Sequence, residues 1–277
     1  MKLIDSFTFF NEHELLKLRL ELLYHSVDQF VICESNVTHS GLKKDFNFLS
    51  RIDEYSEWMD KVTYLKYEPN ISTLNFAKKP TQFDPSSPEW IIETGQRNYL
   101  STCLKHYDAG DIAFICDVDE IWNPDVAILI RGNQIPLEYA RLEMQMHYYY
   151  LNCRGVSQAN SKWYQPFFIN ISSIKKGADL SRFRVEEKME FVGNAGWHFS
   201  YLGGAKKISE KISAFAHQEV NTDSLNNIKH LEESIQLGVD YLGREDWDLA
   251  FHPVNYYPMP LSKIMRKYPH LLKKELL

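Results

Sequence analysis

The sequence has few cysteines and no long apolar run. Four cysteines occur in 277 residues, Cys33, Cys103, Cys116 and Cys153, and none forms a Cys-x-x-Cys pair. This spacing argues against a metal cluster or a disulfide framework and favours small buried thiols. No apolar stretch approaches the roughly 20 residues that cross a bilayer. Asp5 also interrupts any signal-peptide core near the N-terminus. We therefore expect no transmembrane segment and a cytoplasmic location.

The composition also lacks an excess of basic residues. The chain has 31 lysines and arginines against 37 aspartates and glutamates, a formal net charge of -6. This balance provides no general attraction for nucleic acid or for an anionic membrane surface, although a local basic site for a diphosphate is compatible with it. Hydrophobic residues make up 44% of the chain, which is enough for a packed core.

Strand and helix patterns alternate through the first part of the chain. Apolar runs predict strands over residues 3–10, 28–34, 62–67 and 111–116, and residue spacing predicts helices over 13–25 and from Pro88 to Tyr107. This order is typical of an α/β fold with an open, mostly parallel sheet flanked by helices. Further along we expect strands within 137–150 and 163–174, a glycine-rich aromatic loop over 193–204 and a helix over 206–216.

An acidic sequence, Asp117-Val118-Asp119-Glu120, directly follows the fourth predicted strand. In parallel sheets, ligands bind beyond the carboxyl ends of the strands. Two carboxylates spaced by one residue there can share a divalent cation such as Mg²⁺ or Mn²⁺, which also takes oxygen ligands from phosphate groups. A solvated acidic turn is the alternative, since aspartate is common in turns. The buried strand before the motif favours a functional role.

Two earlier strands also end in polar side chains. Phe10, Asn11 and Glu12 follow the first strand, and Glu34 ends the second. A carboxylate in such a position can accept hydrogen bonds from a ribose hydroxyl or a base N–H, and an aromatic ring can stack on a base. Helix capping by Asn11 is the alternative. If the strands are neighbours, all three strand ends converge on one crevice.

Two arginines lie in the predicted helices. Arg97 could bind a phosphate through its fork of donors, or it could pair with Glu93 one helical turn earlier. Arg19 lies among leucines, away from the polar stripe of its helix. A buried arginine requires a carboxylate partner, so we expect Arg19 to form a structural ion pair.

The segment from Gly193 to Gly204 combines glycines, aromatics and a histidine. Glycine lets the backbone approach a ligand closely, and Trp197 offers a flat face for a sugar ring. His198, and His217 further along the chain, could each bind a metal or accept a proton. A histidine that is merely hydrogen-bonded is the alternative for both.

Several motifs in a fixed order resemble those of a known family. They are Phe7-Thr8-Phe9-Phe10-Asn11-Glu12, Leu18-Arg19-Leu20, Val31-Ile32-Cys33-Glu34-Ser35-Asn36-Val37-Thr38, Asp117-Val118-Asp119-Glu120-Ile121 and Gly196-Trp197-His198-Phe199-Ser200-Tyr201. Together they resemble glycosyltransferase family 17, from the first strand to about Glu219. The best-known member of that family adds the bisecting N-acetylglucosamine to the β-mannose of N-glycans.

The resemblance implies a GT-A fold, a UDP-sugar donor, expected to be UDP-N-acetylglucosamine, a divalent metal ion (Mn²⁺ or Mg²⁺) and inversion at the anomeric carbon. It implies that Asp117 and Asp119 bind the metal, with His217 or His198 as a further ligand. It also implies that Asn11, Glu12 and Glu34 line the nucleotide pocket, with Arg97 near the diphosphate. We expect one domain, with a nucleotide-binding half over 1–125, an acceptor-side half over 126–220 and a helical segment over 221–277. For the acceptor, a cytoplasmic location favours a glycolipid or another saccharide over an N-glycan.

An inverting transfer requires a general base that takes a proton from the acceptor hydroxyl. His198 and Glu187 are candidates, together with Glu186 and Glu190, and the sequence does not choose among them. Two other classes of protein remain open. A haloacid-dehalogenase-like phosphatase also places Asp-x-Asp after an apolar strand, although usually near the N-terminus. A non-catalytic carbohydrate-binding protein would suit the high aromatic content of 14%.

Overall fold

The first half of the chain forms the parallel sheet that the alternating pattern predicted. The computed structural model describes residues 1–78, 80–136, 138–186 and 188–273. Its first four strands are β1 (Leu3–Phe9), β2 (Gln29–Ser35), β3 (Val62–Tyr67) and β4 (Ile112–Asp117). They lie in the order β3-β2-β1-β4, and each neighbouring pair is parallel. The predicted α/β fold is confirmed.

Helices cover both faces of this parallel sheet. They are α1 (His13–Leu23), α2 (Asn47–Ser50), α3 (Pro88–Tyr99) and α4 (Ser101–Leu104), with a 3₁₀ helix over Ile52–Lys61. Leu16 of α1 belongs to the core on one face together with Phe7. On the other face, Leu100 and Leu104 pack in a second core with Ile4. Successive strand residues point to opposite faces, so β1 contributes to both cores.

The cysteines are part of this packed interior. Cys33, Cys116 and Cys153 are buried, Cys103 is half-buried, and all four are free thiols. Burial raises the pKa of the Cys153 thiol to about 12. A thiol that stays protonated is a poor nucleophile and a poor metal ligand, so the expectation of small buried thiols is confirmed.

The second half of the chain extends the sheet with strands that pair mostly in the antiparallel direction. Its elements are β5 (Glu120–Trp122), α5 (Asp125–Arg131), β6 (Tyr139–Tyr148), β7 (Cys153–Gly155), β8 (Lys162–Trp163), β9 (Phe167–Asn170), α6 (Ile171–Lys175), α7 (Leu180–Val185), β10 (Phe191–Ser200), α8 (Gly204–Ala214), α9 (Ile228–Leu237), β11 (Leu249–Phe251) and α10 (Met259–Met265). The expected strand over 163–174 is interrupted, because Asn170 caps α6 by accepting a hydrogen bond from Ser173 N. β9 pairs with β4 and joins the two halves into one sheet.

Residues 193–200, expected in a loop, are instead part of the ten-residue strand β10. This strand pairs with β5 on one side and with β6 on the other. Gly196 has φ +156°, and a Cβ built there would lie 2.4 Å from the carbonyl oxygen of Ile121. The glycine is therefore required by the close approach of β5, whereas the sequence pattern alone indicated a loop.

The described part of the structure contains no helix that could span a membrane. Among residues 1–78, 80–136, 138–186 and 188–273, no helix combines the length and apolar character needed to cross a bilayer.

A buried ion pair connects α1 to the turn that follows β4. Arg19 and Asp5 are both fully buried, and Arg19 Nε and Nη2 donate to the Asp5 carboxylate at 2.7 and 2.5 Å. Arg19 Nη1 also donates to the carbonyl oxygens of Asp117 and Glu120, at 3.1 and 2.7 Å. Burial lowers the pKa of Arg19, but Asp5 outweighs burial and leaves it raised. The expected structural pair is confirmed, and it also fixes the backbone of the acidic turn.

We predict that Arg19→Met lowers the free energy of unfolding by about 3–5 kcal/mol, because it leaves the Asp5 carboxylate buried without its partner. Chemical denaturation with urea measures this change. Arg131→Met is the matched control, since the Arg131–Asp28 pair is exposed by 46% and 41% and should contribute less than about 1 kcal/mol. Equal losses of stability in the two variants would contradict the prediction.

Candidate active site

The three polar strand ends lie side by side at one edge of the sheet. β1 is the central strand, with β2 on one side and β4 on the other. In the register of these strands Thr8 is opposite Asp117, and Phe9 is opposite Glu34. The predicted convergence of the strand ends is confirmed. Helices α3, α7 and α8 contribute basic side chains to the same crevice.

Asp117, the first acid of the motif, is bound by two arginines. Its Oδ1 accepts hydrogen bonds from Thr8 Oγ1 and Arg97 Nη2, both at 2.8 Å, and its Oδ2 accepts one from Arg184 Nη2 at 2.6 Å. Burial raises the pKa of Asp117, but Arg184 and Arg97 outweigh it and hold that pKa well below its ordinary value. Arg97 also pairs with Glu93, so the expected helix pairing is confirmed, and phosphate binding by Arg97 stays a prediction.

Asp119, the second acid, faces Lys211 of α8. Lys211 Nζ donates to Asp119 Oδ2 at 2.7 Å, and His198 Nε2 lies 3.6 Å from the same oxygen. Burial raises the pKa of Asp119, but Lys211 and then His198 outweigh it, so the carboxyl stays ionised far below its usual range. The side chain of Asp119 is only 6% exposed. It is therefore a preformed anionic partner for a cation.

Glu120 stabilises the site from the buried interior of the protein. It is fully buried and accepts hydrogen bonds from Arg184 Nη1 and Nη2, from Trp163 Nε1 and from the backbone N–H of Asp117. Because its two oxygens are occupied in this way, Glu120 orients Arg184 and does not face a ligand. Arg184 and Trp163 were not identified from the sequence, since neither lies within a recognisable motif.

Glu12 lies at the other side of Lys211. Its Oε2 accepts hydrogen bonds from the backbone N–H groups of Phe10 and Asn11, at 3.3 and 3.0 Å, and its Oε1 lies 3.9 Å from Lys211 Nζ. Burial raises the pKa of Glu12, and Lys211 opposes this shift. The structure thus places Phe10, Asn11 and Glu12 together at the crevice. It gives the position of the helix N-cap to Glu12 rather than Asn11.

Glu34 has an internal role that the sequence did not indicate. It is fully buried, and its carboxylate accepts hydrogen bonds from Lys44 Nζ, from the backbone N–H groups of Asn47 and Phe48 and from Tyr64 Oη. Both carboxylate oxygens therefore accept hydrogen bonds from residues just before α2 and at its start. A ribose hydroxyl would have to compete with these donors, so Glu34 shapes the wall of the crevice rather than offering a free carboxylate.

A cavity of about 450 Å³ opens at the ends of β2 and β3, beside Glu34. Its lining residues are Asn36, Val37, Lys43, Lys44, Asp45, Pro69 and Ile71. The side-chain oxygen Asn36 Oδ1 is buried and has no hydrogen-bond partner among the described residues. Asn36 and the two lysines therefore place hydrogen-bonding side chains at the wall of this cavity.

Trp197, expected to contact a sugar, is instead part of the protein core. It is only 4% exposed and packs in the main hydrophobic cluster. The alternation of β10 places its neighbour His198 on the opposite face, toward the crevice. The aromatic ring beside His198 belongs instead to Trp163, and the two ring centroids lie 4.6 Å apart.

His217, the other candidate metal ligand, lies apart from Asp117 and Asp119. Its Nδ1 lies 2.6 Å from Glu219 Oε1, and its ring packs edge-on against Trp90 of α3 at 4.8 Å. The segment after α8 therefore attaches His217 to the outer end of α3. In the described conformation His217 has its own carboxylate partner and does not join the acidic motif.

Among the candidate general bases, His198 is the one that the structure places in the crevice. Glu186 lines a separate cleft together with Asp179 and Arg182. Glu190 is exposed and precedes β10, eight residues before His198 along the chain. Glu187 lies outside the described residues.

Two carboxylates of the crevice lie on either side of one cation, Lys211. No group of three or more His, Cys, Asp or Glu side chains within the described ranges is arranged to bind a metal ion. The Lys211 ammonium, however, lies between the carboxylates of Asp119 and Glu12, at 2.7 and 3.9 Å. These are hard oxygen ligands of the kind that Mg²⁺ and Mn²⁺ prefer. A divalent ion would therefore suit this position once the ammonium moved.

Comparison with known proteins gives weak structural similarities. No curated protein matches the chain. The solved structure of S. aureus TarS 1-349 has 13% identity and a TM-score of 0.40, with 88% of this chain and 74% of that chain covered. A putative glucose-1-phosphate thymidylyltransferase from Bacillus anthracis, in complex with a sucrose, has 10% identity and a TM-score of 0.36, with 69% and 86% covered. Similarities this low do not define a function.

The family comparison is far more extensive. The sequence model of Glycosyltransferase family 17 matches residues 1–256, nearly the whole chain. The matched range includes the acidic turn, the three site cations and His198. The chain therefore belongs to glycosyltransferase family 17 and is a glycosyltransferase.

Proposed function

We propose that the protein is an inverting glycosyltransferase that transfers N-acetylglucosamine from UDP-N-acetylglucosamine to a saccharide or glycolipid acceptor. The observation that carries this proposal is the crevice beyond β4, where Asp117-Val118-Asp119 is bound by Arg97, Arg184 and Lys211. A nucleotide diphosphate leaving group gains negative charge as its bond to the sugar breaks. Fixed guanidinium and ammonium groups aimed at that position stabilise the developing charge without reorganisation.

The cavity at the ends of β2 and β3 supports a uracil-type base. The base ring of uridine has one N–H donor between two carbonyl acceptors. Asn36 Oδ1 is a buried acceptor without a described partner, and Lys43 and Lys44 line the same cavity. This arrangement suits a base with a central donor and flanking acceptors. Cytosine and guanine present different edges and would match it less well.

His198 is the proposed general base. Its Nε2 faces Asp119 Oδ2 at 3.6 Å, and its Nδ1 is buried with no partner within the part of the chain that is described. With the Nε2 proton directed at Asp119, Nδ1 can accept the proton of the acceptor hydroxyl, and the carboxylate stabilises the imidazolium that forms. The acceptor oxygen then bonds to the anomeric carbon as the bond to the diphosphate oxygen breaks, which inverts the configuration.

We also propose that a divalent ion assists the reaction. When bound, it would act as a Lewis acid on the diphosphate oxygens. Asp119 and Glu12 are the residues that would hold it. Asp117 is less suited to this task, because Thr8, Arg97 and Arg184 already donate to both of its oxygens.

The two other classes of protein receive less support. A phosphatase nucleophile requires a carboxylate oxygen free to attack phosphorus, whereas each oxygen of Asp117 is bound by a guanidinium group. A purely carbohydrate-binding protein gives no reason for three buried or half-buried cations around one acidic turn. Membership of glycosyltransferase family 17 favours transfer over both.

We predict that UDP binds in calorimetry more tightly than GDP or CDP, and that Mn²⁺ strengthens UDP binding. The base preference follows from the Asn36 cavity, and the metal effect follows from the excess of carboxylates in the crevice. Equal affinity for all three nucleotides would overturn the assignment of the base. Equal affinity for UDP in Mn²⁺ and in EDTA would overturn the metal assignment while leaving the donor intact.

We predict that Asp119→Asn lowers the transfer rate by about 10²–10³-fold or more, because it removes an anionic ligand of the proposed divalent ion and the carboxylate that stabilises the His198 imidazolium. Since Lys211 loses its anionic partner, the unfolding free energy should also fall, by about 1–2 kcal/mol. Rates with UDP-N-acetylglucosamine and urea denaturation measure the two effects. Asp125→Asn, an exposed aspartate in α5, is the matched control and should change neither. Near-normal transfer by Asp119→Asn would remove Asp119 from the mechanism.

A further inference from the structure

Among the three cations of the crevice, Lys211 is bound least tightly. Its side chain is 25% exposed, compared with 2% for Arg97 and 10% for Arg184. Each arginine forms ion pairs with two carboxylates, whereas Lys211 contacts Asp119 at 2.7 Å and reaches Glu12 only at 3.9 Å. The lysine ammonium is carried on a flexible four-carbon stem. Lys211 can therefore leave its position more easily than either arginine.

Lys211 and a divalent ion would compete for the same oxygen. The ammonium is hydrogen-bonded to Asp119 Oδ2, and a bound Mg²⁺ ion lies about 2.1 Å from its carboxylate ligands. Two cations that share one carboxylate oxygen in a buried site repel each other strongly, because screening there is weak. A metal can therefore occupy this position only after the ammonium has moved away.

The charge balance of the crevice gives the ammonium a reason to move when the donor binds. The carboxylates are more numerous than the cations: Glu12, Glu93, Asp117, Asp119 and Glu120 face Arg97, Arg184 and Lys211. A diphosphate adds further negative charge to a site that is already negative. It provides a new anionic partner for the Lys211 ammonium, and it creates a need for an additional cation at the carboxylates.

We propose that Lys211 is the resident cation of the free enzyme, so that a divalent ion enters at Asp119 and Glu12 only together with the donor diphosphate, to which the ammonium transfers. This inference rests on the proposed function, because it assumes a diphosphate donor and a metal. It adds that the metal ion binds only together with the diphosphate. Without the nucleotide the metal site is blocked by an internal positive charge, and with the nucleotide the two cations occupy separate anionic partners.

The test is the calorimetric affinity of Mn²⁺ in the absence and in the presence of saturating UDP. Wild-type protein is compared with Lys211→Met, which removes the charge, with Lys211→Gln as a second neutral variant, and with Lys211→Arg, which keeps the charge. Lys207→Met is the matched control, because Lys207 is an exposed residue of the same helix and lies 3.9 Å from Glu14. Circular dichroism melting confirms that each variant is folded.

We expect Mn²⁺ to bind the wild-type protein at least about tenfold more tightly with UDP than without it, within the usual range of coupling between two ligands. In Lys211→Met and Lys211→Gln, the affinity for Mn²⁺ without UDP should rise about tenfold or more, and the affinity for UDP in EDTA should fall. Lys211→Arg and Lys207→Met should resemble the wild type in the absence of UDP.

An unchanged or weaker affinity for Mn²⁺ in both neutral variants without UDP would overturn the proposal. So would a wild-type protein that binds Mn²⁺ equally well with and without UDP. These outcomes are distinct from failure of the proposed function, which would show as no binding of UDP to the wild type under any condition. The measurement of Mn²⁺ alone remains decisive in that case, since it requires no nucleotide.

Discussion

The crevice depends on one buried ion pair, between Asp5 of β1 and Arg19 of α1. The guanidinium group forms two hydrogen bonds with Asp5 and also donates to the carbonyl oxygens of Asp117 and Glu120. Trp122 Nε1 donates to the same Asp5 carboxylate at 2.9 Å. Because these interactions bind the backbone of the acidic turn from inside, the side chains of Asp117 and Asp119 are left to face the crevice. A strand residue and a helix residue that are both fully buried thus fix the backbone of the acidic turn.

The electrostatics of the crevice follow from this fixed turn. Asp117 and Glu120 share Arg184, while Asp119 has Lys211 and His198 beside it. The pKa values of Asp117 and Asp119 are both held low by these cations. The carboxylates therefore remain charged in the free protein, although Asp119 is buried and Asp117 is half-buried. A site with ordered charges of both signs needs little rearrangement when a charged leaving group forms, and this preorganisation is the largest single contribution in many enzymes.

The parts of the site that the sequence predicted are those encoded locally. β1, β2 and β4 were found because buried parallel strands are continuous apolar runs, and their polar ends were found because strand ends line the ligand-binding edge. β10 was missed because Gly196 reads as a loop residue, although a neighbouring strand requires it. That error also misplaced Trp197, whose side chain points to the core. Arg184 and Lys211 lie 67 and 92 residues from their aspartate partners, so no local pattern could assign them.

The three cations differ in how firmly the fold holds them, and this difference follows from the number of carboxylates that each cation binds closely. Arg97 and Arg184 are planar groups whose several donors are divided between two carboxylates each, so that neither arginine can turn without breaking both pairs. Lys211 has a single close partner and partial exposure to solvent. In the proposed reaction the two arginines would define where the diphosphate lies, whereas the lysine would change partners as the charge of the crevice changes. The crevice has more carboxylates than arginines. In the proposed reaction, a movable lysine would let the positive charge shift when the diphosphate binds, which rigid groups alone could not do.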